Sequence, residues 1–229
     1  MAPGARRFPW GRIGGMCGRY ALSSPLESLE AQFEAEAQAL WTPRYNIAPT
    51  TPVLVVRNGA AGRVIVLQRW GLVPSWSRDA SMGARMANAR AETVAEKPSF
   101  RGPFRRNRCI LPADAFYEWR AGTPKQPFAI RPAGGGPLAF AGLWDRWEGP
   151  EGVLETCTIL TTSANGAMAP IHDRMPVILA REDYGRWLDE GGTDLLRPCP
   201  DAWLQVHPVG PRVGNARNDD PTLLEPLDD

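Results

Sequence analysis

The chain of 229 residues has 26 lysine and arginine residues and 25 acidic residues, so its formal net charge is only +1. This balance excludes a protein that binds polyanions through bulk charge, and any contact with nucleic acid must come from a local basic groove. The four cysteines form no CxxC pair and there are only two histidines, which argues against a zinc site. With no signal peptide and no apolar run of about 18 residues, the sequence predicts a cytoplasmic protein without a membrane span.

The first predicted element is a helix that follows an irregular N-terminal stretch. Residues 1–15 are rich in Gly, Pro and Arg without periodicity, and they predict a disordered extension or a misplaced start of translation. The helix is predicted to begin at Ser24 as the cap, with Pro25 in the first turn and Glu27 closing a capping box. Its apolar face is predicted to contain Leu26, Leu29, Phe33 and Leu40.

From residue 52 the pattern changes to short β-type runs. Val53–Arg57 and Val64–Trp70 are separated by Asn58-Gly59 and Gly62, which predicts a hairpin. Further strands are predicted at Cys109–Leu111, Phe116–Trp119, Pro127–Ile130, Leu138–Trp144, Thr156–Thr162, Pro176–Leu179 and Trp203–Val209, and a helix at Glu182–Leu188. Proline and glycine punctuate the whole chain and mark no single linker, so residues 16–229 are predicted to form one α+β domain.

Several segments are polar where a plain core strand is apolar. They are RYNIAPT (44–50), WGLVPSW (70–76), NARAET (88–93), FYEW (116–119) and IHDRMP (171–176). Loops that present such residues on a rigid scaffold are where function concentrates. The arginine run at 101–108 is a further candidate, either as a basic groove for nucleic acid or as a solvated loop.

Three side chains in these segments are candidates for proton transfer or hydrogen bonding. Glu118 lies between Tyr117 and Trp119, and desolvation by aromatic neighbours favours a carboxyl that holds a proton near neutral pH; a strand-end glutamate facing solvent is the alternative. His172 has the chemistry of a proton shuttle or a purely structural role. Asn88 can hold a carbonyl or a sugar hydroxyl, or it caps a helix.

Cys17 directly follows Met16, and its chemistry depends on whether it is the first residue. An internal cysteine offers one thiol, with an unperturbed pKa of about 8.5. A first-residue cysteine adds an α-amine with a pKa of about 8 on the neighbouring carbon. Such a pair traps aldehydes: the amine condenses to an imine and the thiol closes a five-membered thiazolidine ring.

The ordered set MCGRY, RYNIAPT, WGLVPSW, NARAET, FYEW, HDRMP and VGNARNDDP resembles the SOS response-associated peptidase (SRAP) family, whose members are also called abasic-site-processing proteins. The resemblance extends from Met16 to about Leu227. It implies an α+β fold with a mixed, strand-rich sheet partly closed like a barrel and flanked by helices. It also implies a covalent sensor in which the terminal cysteine attacks the ring-opened aldehyde of an abasic site in single-stranded DNA, and the thiazolidine crosslink shields the lesion. No cofactor is predicted.

The resemblance also implies roles for individual residues. Cys17 is the nucleophile and amine donor, and Asn88 positions the terminal cysteine and the sugar. Glu118 transfers protons during ring opening and imine closure, and His172 does so at the sugar and in crosslink reversal. The positions that match the family's DNA channel are Arg19, Asn46, Pro49, Trp70, Trp76, Arg90 and Thr161. Arginines are expected to bind phosphate, Pro49 to part the base stack at a single-strand/double-strand junction, and the tryptophans to stack on a base or pack the channel wall.

The residues before Met16 depart from the family pattern, in which the cysteine becomes the first residue once the initiator methionine is removed. A Cys17 inside the chain has no free α-amine. Either translation starts at Met16, which is the favoured interpretation, or residues 1–16 are removed by proteolysis. The family's name suggests that a thiol autopeptidase using Cys17, Glu118 and His172 performs that cleavage. A non-catalytic nucleic-acid-binding module is the third hypothesis. The expected partner is single-stranded DNA with abasic sites, a monomer suffices for the site, and the expected location is cytoplasmic, at the nucleoid when DNA is bound.

Overall fold

The computed structural model describes residues 18–227, and in this part of the chain thirteen strands and three α-helices are found. The helices are Leu26–Phe33 (α1), Arg101–Arg106 (α2) and Tyr184–Asp189 (α3). The strands are Tyr20–Leu22 (β1), Ala35–Ala37 (β2), Arg44–Ile47 (β3), Pro52–Asn58 (β4), Arg63–Trp70 (β5), Asn88–Arg90 (β6), Arg108–Ala113 (β7), Ala115–Arg120 (β8), Gln126–Pro132 (β9), Leu138–Gly149 (β10), Gly152–Ser163 (β11), Arg174–Pro176 (β12) and Leu204–Pro208 (β13). None of the helices described has the length and apolar character needed to cross a membrane.

The strands form two sheets. The smaller sheet has the order β13-β9-β8-β1-β3, and the larger has the order β12-β11-β10-β7-β4-β5-β2, with β6 beside β11. A parallel pairing of β11 with β5, which matches Thr156 to Arg69 and Cys157 to Trp70, closes β11, β10, β7, β4 and β5 into a ring. The predicted α+β fold, with a strand-rich sheet partly closed like a barrel, is therefore confirmed.

The main apolar core lies between the smaller sheet and the ring. From the smaller sheet, Tyr20 packs edge-on against Trp70 with ring centroids 5.3 Å apart, and Phe116 packs against Phe140 at 5.8 Å. Tyr117 belongs to a second, smaller cluster on the opposite face of this sheet. Successive strand residues point to opposite faces, so the smaller sheet is covered on both sides.

The first helix is shorter than the sequence predicts, and it is capped differently. Pro25 is the N-cap without a side-chain cap, because the Ser24 hydroxyl donates instead to Asp114 Oδ1 at 2.6 Å. Glu34, with φ of +52°, ends the helix in the left-handed conformation, and the chain enters β2 directly. Leu40 is therefore 92% exposed. The predictions of a capping box and of Leu40 on the apolar face are wrong.

The predicted strands match the observed ones most closely where the apolar run is long. The predicted hairpin is confirmed, because β4 pairs antiparallel with β5 up to the pair Asn58 and Arg63, and residues 59–62 form the turn. The strand predicted at Pro176–Leu179 is displaced: β12 ends at its first residue, and Ile178 makes only an isolated bridge to Phe140. The helix predicted at Glu182–Leu188 is found as α3, which a 3₁₀ turn precedes.

Candidate functional site

Glu118 is a buried carboxylate on the inner face of the smaller sheet. It lies in β8 opposite Phe128 of β9, and only 4% of the residue is exposed. Since alternate strand residues share a face, Glu118 points to the same side as Phe116, into the main core. Tyr117 and Trp119 pack in the cluster on the other face. The alternative of a glutamate that faces solvent is therefore wrong. The sequence predicts that Tyr117 and Trp119 desolvate Glu118, but the core between the two sheets does so instead.

Strand β1 brings the start of the described chain beside Glu118. Tyr20 pairs with Phe116, and the Tyr117 N–H donates to Arg19 O at 3.0 Å. Continuing this antiparallel register by one residue sets Gly18 opposite Glu118. Cys17, the predicted nucleophile, is bonded to Gly18 in the sequence and lies outside the described residues.

Strand β6 carries Asn88 and Arg90 at the side of the ring. It runs parallel to β11, with Asn88 opposite Ile159 and Arg90 opposite Thr161. Asn88 is half-buried and Arg90 is exposed. Because Asn88 is a strand residue here, the alternative role as a helix cap does not apply.

Trp70 links β6 to the smaller sheet. Its Nε1–H donates to Ala87 O at 2.8 Å, one residue before Asn88, and the same oxygen accepts the Ile159 N–H at 3.0 Å. The Trp70 ring also packs on Tyr20. This chain of contacts, from Tyr20 through Trp70 to Ala87, joins the inner face that carries Glu118 to the strand that carries Asn88.

His172 lies two residues before β12, and 31% of its side chain is exposed. Its Nδ1 is 3.1 Å from the main-chain nitrogen of Arg174 and 3.0 Å from Asp173 Oδ1. A ring with a bare Nδ1 accepts the Arg174 N–H, whereas a ring protonated at Nδ1 donates to Asp173. The first contact needs a bare Nδ1 and the second needs a proton on Nδ1. An imidazole with a partner for each arrangement is suited to proton transfer.

Arg174 connects this histidine to β6, and the sequence identified it only as a neighbour of His172. Both of its terminal nitrogens pair with Glu92, Nη2 to Oε2 at 2.9 Å, and Nη2 also donates to Thr161 O at 2.7 Å. The hydrogen bond from Arg174 lowers the pKa of Glu92. Thr161 is fully buried, and its hydroxyl faces the Arg174 guanidinium. Arg174 thus ties β11, β12 and the turn after β6 into one frame that positions His172 and Arg90.

Two other predicted DNA-binding residues anchor the C-terminal segment. Asn46 is 1% exposed, and its Oδ1 accepts a bond from Arg19 Nη1 at 3.2 Å. Its amide nitrogen donates to the main-chain oxygens of Val213, Asn215 and Asn218. Arg19 also donates to Val213 O at 3.1 Å, and burial lowers the pKa of its guanidinium. Asn46, Arg19 and the buried Trp70 are held by protein contacts, so their DNA contacts stay predictions.

Pro49, Trp76 and Arg90 lie closer to solvent. Pro49 is half-buried in the turn after β3, where Thr50 has a φ of +72° and its N–H donates to Trp70 O at 2.7 Å. Trp76 is 59% exposed. Among the predicted DNA-binding residues, these three are the ones that a nucleic acid can reach without displacing the buried contacts described above.

The cysteines of the described residues are not nucleophiles. Cys109, Cys157 and Cys199 are buried. Desolvation raises the pKa of Cys109 and Cys157 well above the ordinary value and raises the pKa of Cys199 to about 12. Since the thiolate is the reactive form, these thiols are inert near neutral pH. Within residues 18–227 no group of three or more His, Cys, Asp or Glu side chains is arranged to hold a metal ion.

Comparison with known proteins places the chain in a family. The sequence model of the SOS response associated peptidase (SRAP) family matches residues 16–216. The chain is 41% identical to the abasic site processing protein YoqW of Bacillus subtilis (strain 168), with 92% of this chain and 99% of YoqW covered. It is 34% identical to the abasic site processing protein HMCES of Gallus gallus, with 93% and 78% covered. A crystal structure of a protein from Bacteroides thetaiotaomicron is similar with a TM-score of 0.85 at 26% identity, covering 92% of this chain and all of that one. The chain belongs to the SRAP family.

Proposed function

We propose that this protein is a covalent sensor of abasic sites in single-stranded DNA, which it captures as a thiazolidine on Cys17. Relatives that are 39–43% identical over 92% of the chain are named abasic site processing proteins, which supports the lesion as substrate. The structural observation that carries the proposal is the buried carboxylate of Glu118, whose neighbour Tyr117 donates its N–H to the main-chain oxygen of Arg19, two residues after Cys17. The other three cysteines are buried with raised pKa values, which supports Cys17 as the nucleophile.

The proposed reaction needs protons at defined moments. The sugar opens to its aldehyde, the neutral α-amine of Cys17 adds to the aldehyde carbon, and the carbinolamine loses water to give an imine. The thiol then adds to the imine carbon, and its proton ends on the nitrogen. One C–N bond and one C–S bond form, and one water leaves. Glu118 takes the proton from the ammonium and returns it to the departing hydroxyl, as general acid–base catalysis requires.

His172 and Asn88 complete the proposed site from the strands beside β11. His172 handles protons at the sugar oxygen and in the reversal of the crosslink, since its Nδ1 has a partner both with and without a proton. Asn88 orients the sugar and the terminal cysteine by hydrogen bonds. The pair of Arg174 with Glu92 holds both residues on one frame, which supports a shared site. At a single-strand/double-strand junction, Pro49 is proposed to part the base stack.

This chemistry requires a free α-amine on Cys17. We propose that translation starts at Met16 and that the methionine is then removed. The second candidate is a thiol autopeptidase that cleaves before Cys17 with Glu118 and His172. The description of the matching family as a peptidase favours it.

The test is the intact mass of two forms, one translated from Met16 and one from Met1, before and after incubation with an abasic single-stranded oligonucleotide. We expect the first form to begin at Cys17 and to gain the mass of the DNA less one water. Cys17→Ser keeps the amine but lacks the thiol, so its adduct is a reversible imine. A Cys17→Ser variant that crosslinks as stably as the unchanged chain refutes the thiazolidine. Loss of residues 1–16 from the longer form, abolished by the same substitution, supports the autopeptidase.

A further inference from the structure

The motif VGNARNDDP at residues 213–221 has no part in the reaction proposed above, yet it contacts the segment that leads to Cys17. Its first carbonyl, Val213 O, accepts a hydrogen bond from Arg19 Nη1 at 3.1 Å across 194 residues of sequence. Val213 itself is fully buried in the smaller cluster, on the face of the smaller sheet opposite the main core. We call residues 213–219 the C-terminal clamp.

A bulge in β3 provides the anchor point of the C-terminal clamp. β1 and β3 pair at two points, and between these points β3 has one residue more than β1. Consecutive N–H groups of a regular strand point in opposite directions, but a bulge disrupts this pattern and turns side chains in a new direction. Here the N–H groups of Tyr45 and Asn46 both donate to one oxygen, Oδ1 of Asp219. Asp219 therefore stabilises the bulge.

The contacts of Asp219 require a carboxylate. Its Oδ1 accepts the N–H groups of Tyr45 and Asn46, the latter at 3.0 Å, and its Oδ2 accepts Arg44 Nε–H at 2.6 Å. An ionised carboxylate only accepts hydrogen bonds, whereas the amide of an asparagine has one acceptor oxygen and brings two N–H donors. A carboxylate has no hydrogen to donate to a phosphate and repels its charge. Asp219 is therefore a contact of β3 and not of DNA.

Asn46 connects the bulge to Arg19. Its amide nitrogen donates to three carbonyl oxygens of the C-terminal clamp, and its Oδ1 accepts Arg19 Nη1–H at 3.2 Å. The Arg19 guanidinium is thus held between β3 and the clamp. On its other side, the main-chain oxygen of Arg19 accepts the Tyr117 N–H of β8 at 3.0 Å. Arg19 is fixed through its side chain and through its main chain.

Only Gly18 separates this fixed residue from Cys17. With consecutive Cα atoms 3.8 Å apart, the Cα of Cys17 lies within about 7.6 Å of the Cα of Arg19. A glycine is permissive in its backbone angles and does not itself fix the direction of the chain. The hold on Arg19 therefore limits where the amine and thiol of Cys17 can be. Glu118, the neighbour of Tyr117, starts from the same anchor.

We propose that Asp219 is a positioning residue for the crosslinking reaction. Through the bulge and Asn46 it holds Arg19, and Arg19 holds Cys17 where its amine meets both the aldehyde and Glu118. Reaction rates depend steeply on such placement, since a small displacement of reacting groups is costly. Asp219 transfers no proton in this scheme. The inference rests on the proposed function, because it concerns the reaction of Cys17.

The test compares Asp219→Asn with Asp220→Asn in the form translated from Met16. Asp220 is the matched control, because its hydrogen bonds within the described chain are to Thr222 and Arg212 of the same segment. At saturating abasic single-stranded oligonucleotide, we expect Asp219→Asn to form the adduct about tenfold more slowly than the control. The control and the unchanged chain should react alike, and both variants should keep their affinity for undamaged DNA. Equal rates in the two variants overturn the proposal.

Two further measurements separate positioning from other roles. The pH at which the rate is half-maximal should be the same in Asp219→Asn and the unchanged chain, and a shifted value assigns proton transfer to Asp219 and contradicts the proposal. Arg19→Met removes the link to Cys17, so adding Asp219→Asn to it should slow the reaction by less than about twofold more. An undiminished tenfold loss in the double variant contradicts the route through Arg19.

Arg44→Gln is a milder variant that removes only the contact to Oδ2 and keeps both main-chain bonds of Asp219. We expect it to slow adduct formation by about threefold. It takes the place of Asp219→Asn if that variant does not fold, and a rate equal to that of Asp220→Asn then overturns the proposal.

Hydrogen exchange separates this inference from the proposed function. We expect the main-chain amides of residues 18–22 to exchange at least about tenfold faster in Asp219→Asn than in Asp220→Asn. If the unchanged chain forms no adduct, the proposed function fails, and equal exchange in the two variants then removes the clamp as well. If the adduct forms and the two variants react alike, only the positioning role of Asp219 fails.

Discussion

Arg174 and Glu92 lie 82 residues apart in the chain, yet they form a two-point ion pair that joins β12 to the turn after β6. The guanidinium also donates to Thr161 O at 2.7 Å. This one side chain therefore links the segment that carries His172 to the strand that carries Asn88 and Arg90. Its effect on stability and its effect on the site can be measured separately.

Glu92→Gln is expected to destabilise the fold slightly and in a pH-dependent way. Arg174 lowers the pKa of Glu92, so the pair stabilises the fold above the ordinary pKa of glutamate, near 4.3, and this contribution is lost as pH falls through the lowered pKa. Since the Glu92 side chain is 52% exposed, we expect less than about 1 kcal/mol at pH 7. Thermal melting of both proteins between about pH 3 and pH 7 tests this. A difference in Tm that stays constant down to the lowest pH contradicts it.

Glu118→Gln is expected to slow crosslinking by about 100-fold or more while leaving the affinity for undamaged single-stranded DNA unchanged. The amide fills the same space but cannot transfer a proton, and general acid–base catalysis is worth about 10²–10⁴ in rate. The measurement is the time course of adduct formation on a denaturing gel, with anisotropy for binding. Glu151→Gln, at an exposed position, is the matched control. Equal crosslinking rates in the two variants remove Glu118 from the mechanism.

His172→Ala is expected to slow reversal of the crosslink by about 100-fold, because the variant has no ring to transfer the proton. Asp173→Asn keeps the imidazole and its bond from the Arg174 N–H but removes the carboxylate 3.0 Å from Nδ1. We therefore expect a smaller slowing, of a few fold. Release of labelled DNA from purified adduct measures both. A larger defect in Asp173→Asn than in His172→Ala assigns the proton transfer to the carboxylate.

Asn46→Ala is expected to cost about 3 kcal/mol in the free energy of unfolding. The substitution leaves three main-chain oxygens of the C-terminal segment and the Arg19 guanidinium without this partner. Urea denaturation measures the loss. The control is Asn58→Ala, which removes a single bond of an exposed asparagine to Asp189. A similar small loss in both variants shows that the C-terminal segment is held by other contacts.

The sequence predicts those parts of the fold that local chemistry determines. The two apolar runs on either side of the glycines at 59 and 62 predict the hairpin of β4 and β5, and the long apolar runs of β10 and β11 are visible as strands. The strands β1, β2, β3 and β6 have three or four residues, too few for an alternation to be visible, and they pair only with distant partners. The sequence indicates their motifs but not their pairing.

The sequence proposes a set of site residues, but it does not give their arrangement in space. The sequence predicts Glu118 in a strand whether it is buried or faces solvent. Its burial depends on which face of that strand packs against the ring, and no local pattern shows this. Asn46 carries a polar side chain in a polar motif, yet its amide is occupied by a segment that begins more than 160 residues later. Arg174 and Glu92 show no spacing signal for the same reason. Long-range pairing determines which polar residues remain open to a ligand.

The parallel seam between β5 and β11 requires the closure of a long loop of the chain. The seam joins residues 69–70 to residues 156–157. The chain therefore loses the conformational entropy of the intervening loop when the ring closes. Gly71 extends the seam with one more bond, from its N–H to Cys157 O at 2.8 Å. β6 pairs with β11 just beyond this seam. On β5, the last residue of the seam is Trp70. A chain that has not yet closed the ring therefore lacks the β11 and β5 pairing beside which β6 lies, so we expect the proposed site to be completed only together with the barrel.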